Sequence, residues 1–279
     1  MIICRTVVEL QKAIDLLKTP SGKIGFVPTM GALHSGHLSL IQQSATQNEV
    51  TVCSIFVNPT QFNNTEDLIK YPRTPDKDIA LIENFCQILF MPSEKEIYPE
   101  KASETYNFGK LETVMEGAFR PGHFNGVALV VNRLFAIVRP DRAYFGEKDF
   151  QQLQIIKAMT RQLQLPVEVV SCPIIRESDG LAMSSRNARL SDDDRTLATN
   201  IYKILNTTLQ KATHNSPENI KKNIYFEFEK FPQFKIEYLE IADELTLQPV
   251  CNFPSNQKAR IFIAVWLGGV RLIDNQVIN

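Results

Sequence analysis

Apolar positions in the first part of the chain fall into short runs separated by amphipathic stretches, a pattern that predicts strands alternating with helices. Residues 5–18 carry a helical period (Val8, Ile14, Leu17) that stops at the breaker cluster Thr19-Pro20-Ser21-Gly22. Lys23 to Val27 reads as a strand. Leu38 to about Gln47 reads as a helix with Leu38, Ile41 and Ala45 on one face. Val50 to Val57 is almost continuously apolar, as expected of a strand buried on both faces of a parallel sheet. A polar segment, Asn63 to Lys70, has the composition of a mobile flap. Thr74-Pro75-Asp76 then opens a helix to about Phe85, with an N-cap and a proline at the first helical position. Gln87 to Met91, Arg142 to Phe145 and Val167 to Ser171 are the further strands. Leu111 to Ala118, the apolar run Val127 to Val138, and Phe150 to Leu163 are the further helices, and residues 92–110 form a long Pro-punctuated connection. The alternation implies an α/β fold with a doubly wound, Rossmann-like parallel sheet.

Beyond Arg189 the pattern changes. Ser191-Asp192-Asp193-Asp194 caps a helix running to about Thr213, and Asn215 to Glu229 predicts another. Lys235 to Ile241, Arg260 to Leu267 and Val270 to Ile273 alternate like strands, the last two joined by Gly268-Gly269, a hairpin signal. These elements describe a second, smaller α+β domain with antiparallel strands. The expected division is residues 1–176 and 177–279.

Composition adds exclusions. The 279 residues are 44% hydrophobic and 22% charged, with a formal net charge of −1 and no sustained basic run. This is the profile of a soluble globular protein without bulk affinity for nucleic acid or an anionic membrane. No run approaches membrane-spanning length, and the N-terminus lacks a signal-peptide pattern. The five cysteines (Cys4, Cys53, Cys86, Cys172, Cys251) have no paired spacing, which argues against a zinc site or a disulfide framework and points to a reducing cytoplasm.

Candidate chemistry concentrates where predicted strands end. The turn Val27-Pro28-Thr29-Met30-Gly31-Ala32-Leu33-His34-Ser35-Gly36-His37 joins a strand to a helix. With Ser35 as N-cap, first-turn amides without intrahelical partners would face an anion, aided by the helix dipole. His34 and His37, three apart, can face one side. Gly31 and Gly36 have the spacing of a P-loop, but His37 and Leu38 stand where that motif needs lysine and a hydroxyl residue. Asn58 and Gln61 follow the next strand as neutral hydrogen-bonding amides. Phe119 to Gly126 is a second Gly-rich basic turn, carrying Arg120 and His123. Gly146-Glu147-Lys148-Asp149 ends another strand, with Gln151 and Gln152 in the helix that follows. His34, His37, Lys148, Ser184, Ser185 and Arg186 make a set of phosphate partners suited to a triphosphate. No serine, cysteine or lysine has an evident activating base, so in-line attack at phosphorus without a covalent enzyme intermediate is the expected chemistry. Asp76, Asp78, Glu147 and Asp149 are available to magnesium, though each reads more readily as a solvated helix-end carboxylate.

His34-Ser35-Gly36-His37, with Met183-Ser184-Ser185-Arg186 downstream, resembles the paired HxGH and KMSKS-like signatures of the nucleotidyltransferase superfamily. The blocks Val27–His37, Phe56–Phe62, Tyr71–Thr74, Arg120–Phe124, Phe145–Leu153 and Asp179–Asn187 together resemble the pantoate–β-alanine ligase (pantothenate synthetase) family. The likeness spans nearly the whole chain and is weakest from about Thr208 to Gln257.

The resemblance implies ATP-dependent condensation of pantoate with β-alanine through pantoyl adenylate, releasing pyrophosphate and AMP. It implies an ATP site from Met30, Gly31, Ala32, Leu33, His34, Ser35, Gly36 and His37, with Gly146, Glu147, Lys148, Asp149, Ile175, Met183, Ser184, Ser185 and Arg186. His37 would serve as donor to the leaving group. Gln61 and Gln152 would hold pantoate, Gln61 near β-alanine, with Asn58 in the same pocket. Magnesium, a homodimer and a cytoplasmic location are also implied. The flap near Asn63–Asp67 is less glycine-rich than the family pattern. Two rival classes remain: another nucleotidyltransferase, and a sensor that binds ATP without turnover.

Overall fold

The computed structural model describes residues 1–63, 65–100, 104–210, 215–253 and 258–278. In chain order the described elements are β1 (Ile2–Cys4), α1 (Val7–Leu17), β2 (Ile24–Thr29), α2 (Ser35–Gln47), β3 (Val50–Ile55), α3 (Thr65–Ile69), α4 (Pro75–Ile82), β4 (Ile88–Phe90), α5 (Glu94–Ile97), α6 (Met115–Phe119) and α7 (His123–Val138). They continue with β5 (Arg142–Gly146), α8 (Phe150–Gln162), β6 (Glu168–Cys172), α9 (Asp192–Gln210), α10 (Pro217–Phe228), β7 (Lys235–Asp243), β8 (Ala259–Leu267) and β9 (Val270–Ile278). The chain forms two compact units. The first comprises Met1–Phe108, Arg120–Glu147 and Gln152–Pro173, and the second Gly109–Phe119, Lys148–Gln151 and Ile174–Asn279.

The first unit is built on a parallel sheet in the order β1-β4-β3-β2-β5-β6. Successive side chains of a strand point to opposite faces, and β2 shows it. Phe26 meets Phe135 of α7 edge-on, with ring centroids 6.3 Å apart, while Val27 joins a core with Leu40 and Ile41 of α2 and Ile82 of α4. Both faces of the sheet are therefore covered, which is why Val50–Ile55 carries no polar stripe. β1 was not anticipated: it is a three-residue edge strand with Ile2 and Ile3 exposed, too short to show a period.

The second unit holds the antiparallel sheet β7-β8-β9. Gly268 (φ 55°) and Gly269 (φ 73°) form the predicted hairpin in the left-handed conformation such two-residue turns need. One face, with Ile261, Ile263, Val265 and Leu267, packs with Ile201 and Leu205 of α9 and Ile220 and Ile224 of α10. The other face explains why the division differs from a single cut at residue 176. Phe262 meets Phe150 at 5.9 Å, Tyr238 meets Phe119 at 5.6 Å, and Arg271 is bound to Glu116, so 109–119 and 148–151 pack with this sheet.

Other boundaries shifted for local reasons. The helix expected from Val127 begins at His123, after Gly122 in the left-handed conformation (φ 81°), so His123 lies in a helix and not a turn. The flap region contains α3, with Asn64 outside the described residues. Leu111–Ala118 splits into a 3-10 turn at Gly109–Glu112 and α6. The end of α9 expected near Thr213 lies outside the described residues.

Candidate active site

In the first unit the site begins with strand register. β2 pairs with β3 from Ile24 to Thr29 but with β5 only at Gly25 and Phe26, while β5 pairs with β6 as far as Gly146. Past Phe26 the carboxyl ends of β2 and β5 part. This is the point at which the strand order reverses, where open α/β sheets collect their ligands. Thr29 C=O accepts from Phe56 N–H at 3.0 Å, so the peptide of Pro28 faces the parted side, where a missing N–H is harmless.

The turn leaving β2 is held by a carboxylate. Gly31 (φ 81°) and Ala32 (φ 48°) both adopt left-handed conformations, costly for an alanine. Asp78 of α4, only 2% exposed, accepts from Ala32 N–H at 2.9 Å, Leu33 N–H at 2.8 Å and the Thr74 hydroxyl at 3.0 Å. Thr74 thus serves Asp78 and makes no side-chain cap of its own. The expectation that Asp78 is a solvated carboxylate available to magnesium is corrected: it is a buried clamp.

The helix start differs too. His34, not Ser35, is the N-cap of α2. His34 Nδ1 accepts from Gly36 N–H at 3.1 Å, and His37 Nδ1 accepts from His34 N–H at 3.3 Å, a capping box in which imidazoles replace the usual hydroxyl and carboxylate. The N–H groups of His37 and Leu38 go to His34 C=O at 2.9 and 3.0 Å. The amides of Gly36, His37 and Leu38 are therefore already used, and the predicted backbone cradle is replaced by side chains. With each Nδ1 accepting, each neutral ring carries its proton on Nε2. The ring centroids are 4.1 Å apart. The pair is thus a double Nε2–H donor fixed by its own helix.

Beside this turn lies Gln61, at the end of the 3-10 turn Pro59–Gln61. Its Nε2 donates to Met30 Sδ at 3.0 Å, and its Oε1 accepts from Asn58 Nδ2 at 3.1 Å. Asn58, 1% exposed, also donates to Gly126 C=O at 3.1 Å and accepts from the hydroxyls of Thr60 at 3.0 Å and Tyr98 at 2.9 Å. Its amide faces protein on every side. His123, 6% exposed, places Nδ1 2.8 Å from Gln61 C=O and Nε2 3.1 Å from Arg120 Nη1.

In the second unit, Lys148 Nζ lies 3.7 Å from Asp149, and Lys148 C=O accepts from Asn275 Nδ2 at 2.9 Å. Residues 175–183 form a tight bend: Met183 N–H donates to Ile175 C=O at 3.0 Å, and Gly180 (φ 96°) lies where a Cβ would meet the Tyr202 ring at 2.2 Å. Arg176 at the base of the bend makes a two-pronged pair with Asp274, at 2.7 and 2.9 Å. Burial pushes the Asp274 carboxyl up, against the pull of Arg176. Ser184 Oγ accepts from Arg186 N–H at 3.3 Å and caps the 3-10 turn Ser185–Arg189. Gln151 is buried and wholly engaged, donating to Leu111 and Val114 C=O at 2.8 and 2.9 Å and accepting from Glu116 N–H at 3.0 Å. Gln152, in the first unit, is only half-buried.

Residues 2–277 match the family profile described as Pantoate-beta-alanine ligase. The chain belongs to this family. A pantothenate synthetase of Bacteroides fragilis is 50% identical, the alignment covering 99% of this chain and 98% of the relative. The crystal structure of pantothenate synthetase from Thermus thermophilus is similar with a TM-score of 0.92 and 42% identity, covering 99% of each chain. Pantoate-beta-alanine ligase from Francisella tularensis, solved with Beta-gamma ATP and Beta-alanine, is similar with a TM-score of 0.83 and 36% identity, covering 99% of this chain and 97% of that one. The parallel six-stranded sheet and the small antiparallel sheet are those expected of this ligase family.

Within the first unit, the structure brings Met30 and Gln61 into contact, while the 31–37 turn holds His34 and His37 together. Sequence reasoning missed Asp78 as a clamp, since an acidic residue in a helix's first turn looks the same whether it caps, binds metal or faces water. It also missed Tyr98, which sits in the irregular 92–110 connection where no period marks a buried side chain. It missed Asp274 and Asn275 as well, because polar positions near the end of a strand carry no mark of the Arg176 and Lys148 contacts they make.

Proposed function

We propose that this ligase activates pantoate on ATP and then transfers it to β-alanine. The carboxylate oxygen of pantoate attacks the α-phosphorus, the bond to pyrophosphate breaks, and pantoyl adenylate forms. The amine of β-alanine then attacks the acyl carbon and AMP leaves with the oxygen that bridged the two. The observation that carries this reading is the contact between Gln61 Nε2 and Met30 Sδ at 3.0 Å, which sets the acid-binding amide against the turn bearing both imidazoles. A carboxylate held there meets phosphate held by the histidines at close range, and such positioning supplies much of the rate.

His37 and His34 donate Nε2–H to phosphate oxygens, stabilising charge on the departing pyrophosphate; full proton transfer is not required. Lys148, Ser184, Ser185 and Arg186 grip the phosphates during turnover. Gly146, Glu147, Asp149, Ile175 and Met183, with Met30 to Gly36, line the nucleotide. Gln61 and Gln152 hold pantoate, and Asn58 acts through Gln61. A magnesium ion bound with the nucleotide would supply neutralising charge for the pyrophosphate. Among the described residues no group of three or more His, Cys, Asp or Glu could hold a metal ion, and both Asp78 oxygens accept from amides, which leaves Asp76, Glu147 and Asp149 as the carboxylates that would reach a nucleotide-bound ion. A homodimer in the cytoplasm completes the reading. No helix among the described residues is long and apolar enough to cross a membrane.

ATP–pyrophosphate exchange is the test. Exchange that requires pantoate but not β-alanine supports the reading, whereas ATP binding with no exchange and no AMP would establish a nucleotide sensor instead.

A further inference from the structure

Gln61 is held by more apparatus than a surface amide needs. Arginine only donates, so the contact between Arg120 Nη1 and His123 Nε2 at 3.1 Å makes Nε2 the acceptor. The proton of neutral His123 then sits on Nδ1, which donates to Gln61 C=O at 2.8 Å. Asn58 donates to Gln61 Oε1 and so settles which end of the side-chain amide faces which way. Gly126 lets the first turn of α7 press onto the 59–61 backbone: a Cβ there would lie 2.3 Å from Thr60 C=O.

We infer that His123, its tautomer fixed by Arg120, is a positioning residue that holds the Gln61 backbone so that its amide N–H face meets the acid co-substrate. This rests on the reading of Gln61 as a pantoate ligand. The buried imidazole itself touches neither substrate. Its effect passes through one main-chain carbonyl, so it alters recognition of the acid and leaves the nucleotide largely unaffected. A binding group must be fixed to within about half an ångström to retain its effect, and a lost buried anchor allows more movement than that.

The test is pantoate-dependent ATP–pyrophosphate exchange by the full chain. His123→Ala is expected to raise the KM for pantoate about tenfold, with the KM for ATP changed less than twofold. His123→Asn, whose side-chain N–H falls where Nδ1–H was, recovers most of the loss. His123→Gln, which fills the site but carries its donor farther out, does not; it keeps the test valid if the alanine variant fails to fold. The double variant Gln61→Ala/His123→Ala is expected to match Gln61→Ala alone. If Gln61→Ala leaves the pantoate response unchanged, the underlying assignment of Gln61 fails. If Gln61→Ala raises it but the His123 effect is absent, adds in full to it, or falls equally on ATP, the positioning role is overturned while the pantoate site stands.

Discussion

At the scale of single residues, the proposed mechanism gives the two histidines of the first turn two jobs with two nitrogens. Each Nδ1 closes a helix cap, which leaves Nε2 as the donor atom of a neutral ring. The jobs separate by substitution. His37→Asn keeps an acceptor near the Nδ1 position and should hold the melting temperature close to wild type while lowering kcat by about a hundredfold or more, the scale seen when one transition-state donor is removed. His37→Ala should lose the same activity plus about 1 kcal/mol of stability for the broken cap. Thermal melts paired with initial rates decide it. An asparagine variant that keeps full activity would show that the ring's second nitrogen does nothing. A second pair divides neighbours. Gln152→Ala should raise the KM for pantoate with little change in melting temperature, whereas Gln151→Ala, which unties Leu111, Val114 and Glu116, should lower the melting temperature first. Sequence singled out both glutamines but could not rank them, because adjacent helical positions differ in burial only once their packing partners are known.

At the scale of elements, the site is a consequence of how β2 ends. Its strand character was legible from the apolar run Lys23–Val27, and the helix after it from the amphipathic stretch. The route between them was not, because it depends on a carboxylate 46 residues farther on. Asp78 compensates the left-handed backbone of Ala32 by accepting two consecutive N–H groups. Its truncation should cost about 2 kcal/mol, since two partly buried amides would lose their acceptor. Asp78→Ala is therefore expected to lower both the denaturation midpoint and kcat. Asp78→Asn, which turns an N–H toward one of those donors, should rescue neither fully. Chemical denaturation and exchange assays on both variants check this; an asparagine variant with wild-type stability would show that the charge is not what holds the turn.

At the scale of the whole molecule, alternation of strand and helix revealed the doubly wound sheet, because a βαβ chain writes its period into all but its shortest elements. It could not reveal that 109–119 and 148–151 pack with the antiparallel sheet, since that depends on contacts such as Arg271 with Glu116 and Phe262 with Phe150 across long sequence separations. The cysteines offer a check on global packing. Cys4, Cys53, Cys86 and Cys172 are buried and Cys251 is exposed. Burial pushes the thiols of Cys86 and Cys172 up to about 12 and about 11. A thiol reagent should thus label one cysteine rapidly in the native protein up to pH 9, and Cys251→Ser should abolish that phase. Rapid labelling of a second thiol would show that the core opens readily.

In the proposed adenylation the acid's own oxygen attacks the α-phosphorus. Pantoate labelled with 18O in its carboxylate tests this most directly, with AMP analysed by mass spectrometry after a complete reaction with β-alanine. One labelled oxygen in each AMP is the predicted result. AMP without label would rule out attack by the pantoate carboxylate.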